Sequence, residues 1–406
     1  MRRQQICLTE KLVTRKFVST RLIFRQQFGT IHAMKNPFNY LQFAKGDQFY
    51  DRREMLDDLR SRFLSGQTNV VIYGPRRYGK SSLVGELTDR LENDGFVCMT
   101  FDMVKMATLN LFAEAYATKV YRRLAPVRSG VRQVAGFFKK LQPKLAIGVD
   151  GEATFTFDSA AREMGPEELS EVLDLPQRLS EGSRVLVVMD EFQEVDGLLP
   201  NCGFERVMRS VIQSHRNVSY VFLGSRYHLL RRMFTDHARP FYKSALTMLL
   251  DKPPVEESVD FVVSRFKSAG IAISSDAARK LVGKISNIPY YIQQLGFETF
   301  RLVDEDGRRK ATEADVDAAY ARLSGFNRDQ YEQAMLSFSA AQKKLLIALA
   351  TEETREFDAG YRARHGLDAS STVNSAKKKL VEDGHIEHIG GICRLADPFF
   401  AEYLRS

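Results

Sequence analysis

Between an apolar strand and an amphipathic helix the chain reads Gly74-Pro75-Arg76-Arg77-Tyr78-Gly79-Lys80-Ser81-Ser82, a G-x-x-x-x-G-K-S loop. Its glycines let the backbone curl until successive N–H groups converge, and the helix opening near Lys80 adds the positive end of its dipole. The product is a cradle for phosphate oxygens. Lys80 reaches the β- and γ-phosphates of a nucleotide, and the Ser81 hydroxyl is a ligand for Mg²⁺. Residues Gly74, Pro75, Arg76, Arg77, Tyr78, Gly79, Lys80, Ser81 and Ser82 are therefore expected to hold a bound nucleotide.

A second segment completes that chemistry. Val185–Met189 is a short, unbroken, mostly β-branched run, the pattern of a central parallel strand covered on both faces, and it ends in Asp190-Glu191. Ligands of a doubly wound sheet sit at the carboxyl ends of its strands. Asp190 is expected to hold Mg²⁺, directly or through water, and Glu191 to orient and deprotonate an attacking water. A later strand, Ser219–Gly224, ends in Gly224-Ser225-Arg226. If it lies beside the Asp190 strand, Ser225 becomes a polar sensor of the γ-phosphate.

The 406 residues are enough for two or three domains, and a hydrophobic content of 44% with 27% charged residues is that of a globular protein. No apolar run is long enough to span a bilayer, so no membrane partner is expected. Cys7, Cys98, Cys202 and Cys393 are scattered without metal-ligand spacing, which reads as reduced thiols in a cytoplasmic setting. The net charge of +8 is uneven: residues 1–33 hold seven basic residues and one acid, and so supply six of the eight net charges. That segment has the composition of a mitochondrial transit peptide, or else precedes a true start at Met34. The remainder is close to neutral, so bulk charge is no argument for nucleic acid.

The chain divides into the basic extension 1–33, a nucleotide-binding core over 34–254, a helical unit over 255–330 and a last unit over 331–406. In the core, residues 46–53, where contacts to the base are expected, precede a helix over 53–65. The strand Asn69–Tyr73 enters the loop and a helix runs from Lys80 to Leu91. A strand Phe96–Phe101 and a helix around 111–121 continue the alternation that argues a parallel sheet. Alternating residues over Lys144–Phe157, with Asp150-Gly151 between the halves, predict an inserted hairpin at about 140–160. A helix over Pro166–Leu179 and another near 204–214 follow. Leu246–Leu250 and the Pro253-Pro254 break end the core. From Glu256 to Leu323 the pattern is helical throughout, with Thr312-Glu-Ala-Asp capping its last helix. Helices over 340–350, 357–365 and 373–383, the last capped by 369–372, precede strands His385–Ile389 and Ile392–Leu395. With Asp397-Pro398 opening a final helix, this is a winged helix-turn-helix.

Together these texts resemble the prokaryotic P-loop ATPases related to the AAA+ and STAND groups, near the origin-recognition type. The resemblance covers residues 34–406. It rests on Gly74-Pro75-Arg76-Arg77-Tyr78-Gly79-Lys80-Ser81-Ser82-Leu83, Asp190-Glu191-Phe192-Gln193, Gly224-Ser225, Asn287-Ile288-Pro289-Tyr290-Tyr291 and Asp397-Pro398-Phe399-Phe400. It implies an α/β fold, a P-loop NTPase doubly wound parallel sheet of AAA+ type followed by a helical lid and a winged helix. It also implies ATP and Mg²⁺ as ligands, a lid contact to nucleotide near Pro289, and an arginine, Arg226 or Arg239, that assists hydrolysis. The chain departs from the pattern where Ser286-Asn287-Ile288 stands in place of the usual Gly-Gly or Gly-Asn before the proline.

Three functions follow as expectations: an ATPase switch, an ATP-dependent DNA-binding factor, and a scaffold that binds nucleotide without turnover. Duplex DNA would be met through residues 369–395, where Ser370, Ser371, Asn374 and Lys377–Lys379 lie on the third helix and His385 and His388 in the wing. Against this, residues 351–358 are acid-rich, with Glu352, Glu353, Glu356 and Asp358, and Glu382-Asp383 follow the lysines. A homo-oligomer or an unidentified protein partner completes the expected set.

Overall fold

The computed structural model describes residues 34–42, 46, 49–50, 52–124, 143–147, 153–157, 164–199 and 203–406. The basic segment 1–33, Cys7, Cys202 and the Asp150-Gly151 turn lie outside the described residues. Helix α1 (Arg53–Ser65) buries Leu56, Leu59 and Phe63, the spacing of one helical stripe. Strand β1 (Asn69–Tyr73) then enters the glycine-rich loop and α2 (Lys80–Asn93) leaves it. Strand β2 (Val97–Asp102), helix α3 (Leu109–Leu124) and the pair β3 (Pro143–Ile147) and β4 (Ala153–Phe157) follow. Next come α4 (Pro166–Leu173), α5 (Leu175–Leu179), β5 (Val185–Asp190), α6 (Gly203–Ile212), β6 (Val218–Gly224), α7 (Tyr227–Thr235) and β7 (Leu246–Leu249).

The five strands β2-β5-β6-β1-β7, in that order, form one all-parallel sheet. Side chains alternate across it, as the pleat requires. Val70, Ile72, Leu186, Val188, Val221 and Leu223 pack under α1 and α2. Val71, Val185, Val187, Met189, Tyr220 and Phe222 pack on the other side, under α3 to α7. Strands β5 and β6 are apolar on both faces because both faces are covered. The predicted hairpin is β3 with β4, antiparallel from Pro143↔Phe157 to Ile147↔Ala153. It leans on α3, where Phe155 and Phe157 donate backbone N–H groups to Thr118 Oγ1 and Glu114 Oε1, both at 3.0 Å.

Several local expectations differ from the structure. The helix expected over 166–179 is two helices, because Pro176 cannot continue the hydrogen-bond ladder of α4. Leu246–Leu250, not assigned to the sheet from sequence, supplies its edge strand, with Leu250 donating its N–H to the Tyr73 carbonyl at 2.8 Å. The capping run 369–372 is largely helix: α15, defined below, begins at Ser370.

The second half of the chain opens with α8 (Val255–Ser268), β8 (Ala272–Ile273), α9 (Ser275–Lys284), α10 (Pro289–Glu305), β9 (Lys310–Ala311) and α11 (Glu313–Phe326). Thr312 and Asp315 form the expected capping box of α11. The two-residue strands β8 and β9 pair in parallel and interrupt what was read as helix throughout. An unanticipated helix, α12 (Arg328–Ser337), leads into α13 (Ala340–Thr351), α14 (Ala359–Arg364), α15 (Ser370–Glu382), the wing strands β10 (Ile386–Ile389) and β11 (Ile392–Leu395), and α16 (Pro398–Arg405). One continuous apolar core runs through the lid and the winged helix, and Phe38 and Tyr78 belong to it.

Gly74 stands where β1 meets the start of the loop. A Cβ there would lie far inside contact distance of the Leu250 carbonyl oxygen, which is backbone and cannot swing away. Gly74→Ala must therefore push the β7 edge off β1. A loss of about 1–3 kcal/mol of stability is expected, the range for forced overpacking. It would appear as a lower thermal unfolding midpoint, and an unchanged midpoint would contradict the packing described.

Candidate nucleotide-binding site

Because all five strands are parallel, the ends of β1, β5 and β6 lie on one edge of the sheet. Strand β6 separates β1 from β5, so Ser225 stands between the glycine-rich loop and Asp190-Glu191. Ser81 Oγ donates to Asp190 Oδ2 at 3.3 Å. Ser225 donates both its backbone N–H and its hydroxyl to Glu191 Oε2, each at 2.9 Å. Lys80 Nζ folds back on the loop, donating to the carbonyls of Gly74 at 2.8 Å and Pro75 at 2.7 Å. The structure thus brings together Lys80, Ser81, Asp190, Glu191 and Ser225.

The loop and the acidic turn depart from ordinary backbone. Gly79 has φ +87, Arg77 φ +69 and Glu191 φ +51. Left-handed backbone at a residue with a Cβ costs on the order of 1–3 kcal/mol and persists where the surroundings fix it. At Glu191 the fixing partners are Ser225 and Gln193, whose Nε2 donates to Glu191 Oε2 at 2.6 Å. Gln193 is buried, and its Oε1 leaves no room for a Cβ at Gly224. Gln193 entered the sequence argument only as part of a resemblance. The signal that could have found it is its place two residues after the base, opposite a glycine-ended strand.

Burial raises both carboxyls, and the partners then separate them. Glu191 is held below the ordinary glutamate range because hydrogen bonds from Gln193 and Ser225, with Lys80 nearby, outweigh burial. Asp190 is raised, by burial first and by the neighbouring Glu191 charge second. Burial pushes Lys80 down to about 8 against the pull of Glu191 and Asp190, with Arg76 adding to the fall. The arrangement offers an ionised carboxylate able to take a proton and an ammonium in need of an anion.

A cleft of about 710 Å³ spreads over these groups, lined by Tyr40, Phe49, Tyr50 and Arg52 from the segment before and at the start of α1 and by Pro289, Tyr290 and Gln293 from α10. Pro289 is the first residue of α10 and reaches the cleft as expected. The preceding Ser286 and Asn287, at φ +54 and +55, adopt the backbone that glycines adopt freely. Mg²⁺ fits the donor set. Ser81 and Asp190 offer hard oxygens, and Mg²⁺ takes one or two protein oxygens with the remainder from phosphates and water. Among the described residues no group of three or more His, Cys, Asp or Glu could hold a metal alone.

Arg77 and Tyr78 differ in role from the rest of the loop, since their side chains turn to the second half of the chain. Arg77 lies 3.3 Å from Asp397 Oδ2 and over the rings of Tyr290 and Tyr291 at 5.2 and 4.9 Å. Its carbonyl accepts the Tyr290 N–H at 3.3 Å. Tyr78 is fully buried; its hydroxyl donates to Glu387 Oε2 at 2.8 Å and accepts from Arg394 Nη2 at 2.7 Å. What these two residues can offer a phosphate is main chain. Nothing in the sequence pattern pairs residue 78 with 387 and 394.

The remaining expected residues lie apart. Arg226 is 3.6 Å from Glu194 and half exposed. Arg239 is mostly covered and ion-paired with Glu205 and Asp196. On α15, Ser370, Ser371, Asn374, Lys378 and Lys379 are exposed, while Lys377 is partly covered, over the Phe357 ring at 5.5 Å. His385 packs edge-on against Phe338 at 4.8 Å. Asn374 and Lys377 line a second cleft of about 1120 Å³ shared with Arg226 and His228 of the core.

A family model described as a probable winged helix domain matches residues 329–406. Among solved structures the chain is similar to a Walker-type ATPase of Pyrococcus abyssi, at 19% identity and a TM-score of 0.62, covering 91% of this chain and 100% of that one. It is also similar to the Aeropyrum pernix ORC2 protein in ADPNP–ADP complexes, at 14% identity and a TM-score of 0.53, covering 87% and 93%. No curated protein matches by sequence. At these identities the likeness is one of fold: a parallel-sheet α/β core, a helical unit and a winged helix.

The burial of the Lys80 ammonium leads to a prediction. Burial pushes it down to about 8, so a phosphate held by Lys80 would draw the proton back onto it above that pH. Nucleotide affinity should hold steady below pH 8 and weaken above it, with proton uptake on binding near and above pH 8. Calorimetry in buffers of differing ionisation enthalpy reads both, and affinity that stays flat from pH 7 to 9.5 would contradict this account.

Proposed function

We propose that this protein is a Mg²⁺-dependent ATPase that works as a nucleotide-controlled switch. The observation that carries the reading is Glu191, an ionised carboxylate fixed by Ser225 and Gln193 at the strand end facing the phosphate loop. A loop that only stored nucleotide would have no use for a base oriented by three hydrogen bonds. In this reading Lys80 and the loop amides bind the β- and γ-phosphates, and Ser81 and Asp190 hold Mg²⁺. Glu191 takes the proton of the attacking water. The bound Mg²⁺ supplies charge neutralisation on the phosphate oxygens. Tyr40 and Tyr290 close the base end of the cleft, their rings 6.0 Å apart and edge to face.

DNA binding is the second reading, supported by exposed Ser370, Ser371, Asn374 and Lys378 on α15. Half of that surface faces the core across the second cleft, so a duplex would need the winged helix to turn outward.

Steady-state ATP turnover by the full chain tests both. Lys80→Ala is expected to abolish nucleotide binding. Glu191→Gln is expected to keep binding and lose turnover by about 10²-fold or more, the scale of general base catalysis. Turnover that survives Glu191→Gln would end the ATPase mechanism given. Duplex DNA in the same assay, over a salt series, tests the second reading. Stimulation or binding that falls steeply with salt supports it, and none at low salt removes it.

A further inference from the structure

We infer that the arginine assisting ATP hydrolysis is Arg76, supplied by the phosphate loop itself rather than by the lid or a second subunit. This rests on the ATPase reading above. Four observations carry it.

Arg76 is exposed at the mouth of the site, third in the loop, just before its backbone turns at Arg77 and Gly79, and it lines both clefts. Its Nε lies 3.3 Å from Ser225 Oγ, the same hydroxyl that donates to Glu191 Oε2 at 2.9 Å. The guanidinium is therefore one hydroxyl away from the proposed base. Arg76 and Lys80 line the same cleft. An anion bound in that cleft would meet both cations.

The fourth observation is the contrast with the other arginines. Arg77 has Asp397, Arg226 has Glu194, and Arg239 has Glu205 and Asp196. Among the described residues Arg76 has no carboxylate within ion-pair distance, and its hydrogen bond runs to a neutral hydroxyl. A guanidinium is always charged and presents planar donors matched to phosphoryl oxygens. Arg76 can turn its terminal nitrogens to the γ-phosphate while Nε stays near Ser225.

In the step itself, the water oxygen forms a bond to the γ-phosphorus, and the bond to the β–γ bridging oxygen breaks with its electron pair passing to ADP. The water proton passes to Glu191. Negative charge spreads over the equatorial oxygens and the leaving oxygen, where an arginine is most effective. Arg76 stabilises that charge, and Ser225 links it to the base so that both are in register.

The test compares wild type, Arg76→Ala and Arg76→Lys by ATP turnover, by nucleotide titration and by aluminium-fluoride trapping of Mg·ADP, a mimic of the planar phosphoryl group. Arg76→Ala is expected to lower kcat by about 10²- to 10³-fold, as for loss of one transition-state donor. Its ATP affinity should change less than about threefold, and it should lose trapping. Arg76→Lys should recover part of both. Mixing Arg76→Ala with Lys80→Ala protein should restore nothing, since an arginine acting within its own chain cannot be lent. A kcat within threefold of wild type, trapping that persists, or restoration on mixing would each overturn the proposal. If wild type itself shows no turnover, the hydrolysis reading fails on its own, and trapping still decides the role of Arg76.

Discussion

The phosphate loop is fastened to the far end of the chain through the hydroxyl of Tyr78, shared between Glu387 and Arg394 of the wing. Glu387 and Arg394 also bond directly at 3.0 Å, so a tyrosine, an acid and a base close a small buried network. Groups of this kind have no water to fall back on, and breaking one member strands the others. The loop that should bind nucleotide is thus also the dock for the lid, through Arg77 and Tyr290, and for the winged helix, through Arg77–Asp397 and Tyr78. Any ligand that reshapes residues 74–82 acts on all three units at once.

The edge where the strands end depends on a different constraint, the parallel sheet. Strand order alone places Ser225 between the loop and the two carboxyls, and three hydrogen bonds then hold Glu191 in a backbone conformation it would not choose. The same low-dielectric setting moves Asp190 up, while hydrogen bonds keep Glu191 low, so two adjacent acids differ in proton affinity. Lys80 is folded onto the carbonyls of Gly74 and Pro75.

Much of this was legible in the sequence, for reasons that differ by element. The loop, α2, β5 and the wing hairpin carry local signals: glycines at fixed spacing, β-branched runs, Gly390-Gly391 between two short strands. The hairpin of β3 and β4 was readable from alternation together with the Asp150-Gly151 turn text. Strand β7 was not, because an edge strand with Leu246 and Leu249 exposed has no buried face to give it a pattern. Helix α12 was missed for a related reason, since it buries little besides Tyr331. At the site, residue types gave Lys80, Ser81, Asp190, Glu191 and Ser225. The roles proposed for Arg76 and Tyr78 depend on contacts 149 to 316 positions apart in the chain, which no local text encodes, and that of Gln193 on a bond only two positions away whose meaning depends on the strand opposite.

The central claim is that residues 74–82 are a nucleotide cradle mechanically joined to the wing. Amide hydrogen exchange of the full chain, with and without Mg·ATP, tests it most directly, because it reads the same N–H groups that would face phosphate. Slower exchange at residues 76–82, accompanied by a change at 386–395, is the predicted result. Loop amides that exchange at the same rate with saturating Mg·ATP would contradict it.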